Sequence, residues 1–143
     1  MHTQDKTKPT SWTRIGAILA CLAVALGAFG AHKLKTSVGA EPLAWWETGV
    51  HYQLIHALAL LILGQRALLD PGPDPIATRI GRLFVLGIVL FSGSLYAMTL
   101  GGPSALGAVT PLGGLAFLCG WVCWALDTRS QVSDTAGRAL DRQ

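Results

Sequence analysis

Long apolar blocks alternate with short polar breaks along this chain. The blocks lie at about 15–31, 50–69, 83–100 and 106–126 and are almost without charge. Each is of roughly the length, about 17–21 residues, that spans a bilayer as a helix. A soluble core would show charged and apolar positions at helical or strand spacing inside each element. That spacing is absent here, so the pattern excludes a soluble domain. In lipid every backbone polar group must pair within its own segment, so each block reads as an α-helix. The pattern predicts an all-α polytopic membrane protein, a four-helix transmembrane bundle over residues 15–126 with polar tails at 1–14 and 127–143.

The breaks predict the connections. Residues 32–49 form the longest of those between spans on one side, with Pro42 placed to open a helix, since its missing N–H costs nothing in a first turn. Trp45 and Trp46 read as interfacial anchors. A short interfacial helix that turns at Gly49 into the second span is the expected arrangement. The stretch DPGPDP, Asp70 to Pro75, reads as a loop. GGPS, Gly101 to Ser104, is tight enough to make the third and fourth spans an antiparallel hairpin. In the first span Ala23, Gly27 and Ala31 form a small-residue stripe of the kind that lets helices approach closely in lipid. Gly93 in the third span, and Gly113 and Gly114 in the fourth, offer the same close approach. Thr110-Pro111-Leu112-Gly113-Gly114 predicts a packing kink near the start of the fourth span.

Charge sets the orientation. Of 11 Lys and Arg, only Lys33 and Lys35 fall in the connections on one side; the other nine lie in the tails or around the 63–83 break. The positive-inside rule then puts both termini in the cytoplasm. A net charge of +3 gives no sign of nucleic-acid binding. The first span has a basic flank and a weak cleavage-like Ala28/Gly30 pair, but its apolar run exceeds a usual signal-peptide core, so it reads as a retained helix. Cys21, Cys119 and Cys123 lie inside spans without CxxC spacing and read as packing residues.

Polar side chains crowd the outer halves of the spans. They are His32, then His51, Tyr52, Gln53 and His56, then Ser92, Ser94, Tyr96 and Thr99, then Thr110. The inner halves hold little but aliphatic and aromatic residues. A through-path needs polar lining across the membrane, so a shallow outward-facing pocket fits better than a channel. At about 100° per residue, Glu47 and His51 share a rim face, Tyr52 and His56 share a second, and Gln53 looks along a third. Ser92, Tyr96 and Thr99 form a stripe expected to meet the Tyr52/His56 face or Thr110. His51 and His56 diverge by roughly 140° and do not bind one metal ion together. No metal or other cofactor is expected. A proton relay lacks successors to the histidines. No nucleophile–base pair, phosphate loop or HExxH motif is present, so no enzyme is expected. Interhelical hydrogen bonds, or a polar pocket between helices, are the two roles open to His32, Tyr52, Gln53, His56, Ser92, Tyr96, Thr99 and Thr110.

Four blocks in order carry a resemblance: GAFGAH closing the first span, WETGVHYQLIHALALL, FSGSLYAMTLGG, and GAVTPLGGLAFLCGW. Together they resemble the domain-of-unknown-function family 423, the small YgdD-like bacterial membrane proteins, and are similar to the eukaryotic transmembrane protein 256 group. The resemblance implies that His32, Trp46, Tyr52, Gln53, His56, Ser92, Gly93, Tyr96, Thr110, Pro111 and Gly113 sit on recurring positions of that family. It implies a multi-pass protein of the bacterial inner membrane and brings no reaction with it. The expected role is a non-enzymatic accessory or scaffolding protein, with lipid, a second copy or a larger membrane complex as partner. The alternative is small-molecule or ion binding or transport through the outward pocket.

Overall fold

The computed structural model describes the backbone of residues 11–69 and 73–140, and the side chains of 11–66 and 73–127. The polar segment expected over Met1–Thr10, the 70–72 part of the inner loop and the side chains of the C-terminal tail lie outside the described residues. All regular elements described are helical. They are α1 (Ser11–His32), α2 (Ala40–Leu69), α3 (Pro75–Gly87), α4 (Gly93–Thr99) and α5 (Thr110–Leu140). Short 3-10 turns at Leu34–Thr36 and Ser104–Ala108 follow α1 and precede α5, and a π-helical turn, Ile88–Ser92, fuses α3 to α4. Three stretches are long and apolar enough to cross a membrane: Ser11–Thr36, Pro75–Thr99 and Ser104–Asp127.

Helix α2 differs from the expected outer connection. It runs unbroken for 30 residues through Gly49, with no separate interfacial helix. Gly49 is needed for space rather than for a turn: a Cβ there would lie 2.7 Å from the Tyr96 ring. Pro42 does sit in the first turn, where it costs no hydrogen bond. Pro111 is likewise the second residue of α5, so the motif expected to kink the start of the fourth span is where the helix begins.

Glycines seat aromatic rings throughout the bundle. Trp12 lies on Gly81, Trp46 on Gly30, Tyr96 on Gly49, Phe117 on Gly87 and Phe84 on Gly120, and a Cβ at any of these glycines would fall 2.4–2.7 Å from the ring. Helices α1 and α2 approach backbone to backbone at Gly16, where a Cβ would meet the Ala57 carbonyl oxygen at 2.8 Å. Ala23 and Gly27 of the small-residue stripe belong to this packed α1 surface, Ala23 fully buried and Gly27 beside Val50, whereas Ala31 is exposed. The densest core gathers Leu60, Leu63, Ile80 and Phe84.

The third helical stretch has well-defined ends. Asp74 caps α3 by accepting from the Ala77 N–H at 2.7 Å, with Pro75 as the first helical residue. At the other end Gly101 takes φ +89°. The Gly102 N–H then reaches the Ala97 carbonyl at 2.8 Å and the Gly101 N–H reaches Met98 at 3.1 Å, a Schellman arrangement that stops α4.

Candidate functional site

The outer-half polar residues are joined across helices. Gln53 on α2 is buried and spends both ends of its amide. Its Nε2 donates to the Leu19 carbonyl of α1 at 2.9 Å, and its Oε1 accepts from the Tyr96 hydroxyl of α4 at 3.0 Å. One side chain therefore ties α1 and α4 to α2. Tyr96 is held further by its tilted contact with Trp46, ring centroids 4.6 Å apart. The Trp46 ring donates through Nε1 to the Leu26 carbonyl at 2.9 Å. At 2% exposed, Trp46 is a wedge between α1, α2 and α4 rather than the interfacial anchor expected. Only Trp45 of the pair keeps partial exposure.

His56 lies one helical turn deeper and is 3% exposed. Its Nδ1 is 2.7 Å from the Tyr52 carbonyl, which only accepts, so Nδ1 carries the proton. Nε2 then accepts from the Trp121 indole N–H at 3.1 Å. These are the bonds of a neutral imidazole with both nitrogens satisfied. The ring stacks on Phe117 at 3.5 Å between centroids, 11° from parallel, and meets Phe84 edge-on at 5.2 Å. Its main partners thus come from α5, not from the third span as helical geometry alone indicated. Tyr52 remains on the same side but is 40% exposed and packs on Phe91.

The expected Ser92/Tyr96/Thr99 stripe does not meet the Tyr52/His56 face as a unit. The π turn intervenes: the Gly93 N–H bonds to the Ile88 carbonyl five residues back, which shifts the helical register. Tyr96 meets Gln53. Thr99 donates to the carbonyls of Leu95 and Pro42, both at 2.9 Å, the second at the start of α2. Ser94 donates to the Phe91 carbonyl at 2.9 Å and lies 2.7 Å from the Thr110 hydroxyl of α5. Ser92 is fully buried, and its hydroxyl has no partner among the described residues. Gly113 meets Phe91 closely, a Cβ falling 2.3 Å from the Phe91 nitrogen. Gly114 makes ordinary contact with Phe91, and Gly93 faces open space. Glu47 and His51 are exposed and are joined by no ion pair, and His32 is exposed at the end of α1.

A cavity of about 490 Å³ opens beside His56, walled by Tyr52, Phe91, Pro111, Leu115, Phe117 and Trp121. It is aromatic and aliphatic. Of the residues expected to line a polar pocket, His56 and Tyr52 border this cavity, while Gln53 and Tyr96 are bonded to each other and to α1. Among the described residues no three His, Cys, Asp or Glu side chains gather at metal-binding distance.

Two features escaped sequence reasoning. The first is Trp121 as the partner of His56. The requirement that an indole N–H inside an apolar segment find an acceptor was the available signal. The second lies at the other end of the bundle. Arg66 bonds to Asp127 of α5 at 2.5 Å and to the cap residue Asp74 at 3.1 Å. Asp127 is buried, which marks it as part of the bundle rather than of a solvated tail.

Residues 26–114, which hold this polar network apart from Leu19 and Trp121, match the family model described as "Protein of unknown function (DUF423)". The chain belongs to this family. Among the relatives of this DUF423 chain is the UPF0382 membrane protein YwdK of Bacillus subtilis, 48% identical over 76% of this chain and 87% of the relative. The UPF0382 inner membrane protein YgdD of Escherichia coli is 44% identical over 73% of this chain and 79% of its own. A UPF0382 membrane protein of Haemophilus influenzae is 41% identical over 71% and 80%. No solved structure matches. The family is thus one of membrane proteins without an assigned reaction, and the all-helical, strongly apolar architecture agrees with that.

Proposed function

We propose that the protein is a four-span integral protein of the bacterial inner membrane, with both termini cytoplasmic, that acts as a non-enzymatic accessory or scaffolding subunit. One observation carries the reading: six polar side chains between the helices are spent on holding elements together. Gln53, His56, Ser94, Tyr96, Thr99 and Thr110 each bond to a neighbouring element. A transporter or enzyme keeps polar groups free for its substrate; this bundle leaves an apolar exterior with Leu112, Leu115, Leu118 and Val122 exposed along α5. Relatives named as membrane and inner membrane proteins support the location. The distribution of Lys and Arg supports the orientation.

The test is extraction in mild detergent from cells with a tagged chromosomal copy, followed by native mass spectrometry. The reading expects a defined complex heavier than the protomer. A solitary protomer that transports a solute in liposomes overturns it. Orientation is tested by labelling Ser133→Cys in a variant lacking Cys21, Cys119 and Cys123. Labelling by a membrane-impermeant reagent in intact cells overturns the cytoplasmic placement.

A further inference from the structure

The inner end of α3 carries a second cavity, about 590 Å³, that the polar network does not use. Its wall includes Arg79, Arg82, Leu83 and Leu86. These positions fall at i, i+3, i+4 and i+7, so they form one stripe along the helix. The stripe changes character along its length. Arg79 and Arg82 are exposed and make no hydrogen bond or ion pair among the described residues. Leu83 and Leu86 follow in the direction of the membrane interior, with Leu86 48% exposed. The rise from Arg79 to Leu86 is about 10 Å, the distance from a headgroup to the upper acyl chain.

Asp74 is the one acidic residue on the cavity wall, against two arginines, and it is turned to other partners. Asp74 bonds to Arg66 and to the Ala77 N–H. The two free guanidiniums therefore set the local charge. Two planar donor forks one helical turn apart suit a phosphodiester with its remaining oxygens and hydroxyls. A headgroup carrying its own ammonium would meet the second guanidinium with like charge.

We infer that the Arg79–Arg82–Leu83–Leu86 face of α3 binds one anionic glycerophospholipid, the guanidiniums holding the headgroup phosphate and the leucines the upper acyl chain. Its assignment to the cytoplasmic leaflet rests on the orientation proposed above. Binding itself does not, and it is measured on the purified protein without partner or orientation.

The experiment is native mass spectrometry of delipidated protein titrated with phosphatidylglycerol, with phosphatidylcholine as the zwitterionic control. Phosphatidylglycerol is expected to bind at least about tenfold more tightly. Arg82→Gln is expected to weaken it about fivefold, and Arg79→Gln/Arg82→Gln about 30-fold, as removal of one and two surface cations implies. Lys33→Gln/Lys35→Gln removes the same charge at the opposite end and is expected to leave affinity unchanged. Equal binding of the two lipids overturns the inference, as does retained affinity in both arginine variants or an equal loss in the lysine control. Equally tight binding of chain-free glycerophosphoglycerol also overturns it, since the site would then take a soluble phosphate.

Discussion

Gln53 and His56 differ in what their loss leaves behind. Removing the Gln53 amide strands the Tyr96 hydroxyl, which has no other acceptor among the described residues, and withdraws a donor from the Leu19 carbonyl. Interhelical hydrogen bonds in membranes average about 0.6 kcal/mol and reach about 1.7. Gln53→Leu is therefore expected to cost about 1–2 kcal/mol and Tyr96→Phe about 0.6 kcal/mol. The double variant should lose less than the sum, because both changes break the same bond. Reversible unfolding in mixed micelles measures all three; strict additivity would show that the pair is not coupled. His56 offers a cleaner separation of packing from bonding. Trp121→Phe keeps a ring near Phe84 but removes the indole donor to Nε2. The expected cost is about 1 kcal/mol, with the Nδ1–H tautomer retained because the Tyr52 carbonyl still holds it. Ring nitrogen shifts of His56, assigned through His56→Asn, report the tautomer; a switch to Nε2–H in the variant would contradict the bonding described.

At the scale of elements, α5 depends on how closely it approaches the π turn. Gly113 has no room for a methyl group against the Phe91 backbone, whereas Gly93 faces nothing within 4 Å. Gly113→Ala must push α5 off the π turn and is expected to cost about 2–3 kcal/mol, as overpacking does. Gly93→Ala is expected to be neutral or to gain up to about 1 kcal/mol from helix propensity. Thermal denaturation in detergent distinguishes the two, and equal effects would show that glycine matters at these positions for reasons other than space. The same pair shows what the sequence makes legible. Apolar block lengths place the helices, because lipid leaves the backbone no other choice. Glycine spacing marks a helix as a packing surface. It does not say which glycine receives an aromatic ring, since that depends on the partner helix. The π turn is equally silent in sequence: IVLFSGS reads as ordinary helix, yet the extra residue rotates Tyr96 onto Gln53. The 100° wheel still describes Ser92, Tyr96 and Thr99, which end or follow the π turn, but it does not say which neighbouring helix that face meets. It placed Gln53 apart from Tyr52 and His56 because α2 has no such irregularity.

For the whole molecule, the C-terminal part of α2, the start of α3 and the middle of α5 meet at one guanidinium. Arg66 reaches Asp127 and Asp74, and the Asp127 side chain is only 5% exposed. The Coulomb gain of such a pair is largely offset by desolvation, so its net contribution to stability is small. Breaking it from one side is different, because the buried Asp127 carboxylate loses the guanidinium it bonds to. Arg66→Leu is therefore expected to cost about 2–4 kcal/mol, somewhat below a fully buried pair because Arg66 keeps partial contact with water. Arg66→Leu/Asp127→Leu should recover most of that loss, since both charges leave together. Asp74→Ala should cost about 1 kcal/mol, mainly through the lost cap of α3. If Arg66→Leu proves neutral, the three helices are not fastened at this point and the tail beyond Asp127 docks by other means. Orientation supplies an independent reading of the same variant. In the proposed orientation Arg66 is one of nine Lys and Arg on the cytoplasmic side, against two on the other. Removing it leaves the charge bias intact, so Ser133→Cys should stay protected from impermeant reagents in the Arg66→Leu background. Loss of stability without inversion separates a fastening role for Arg66 from a topogenic one.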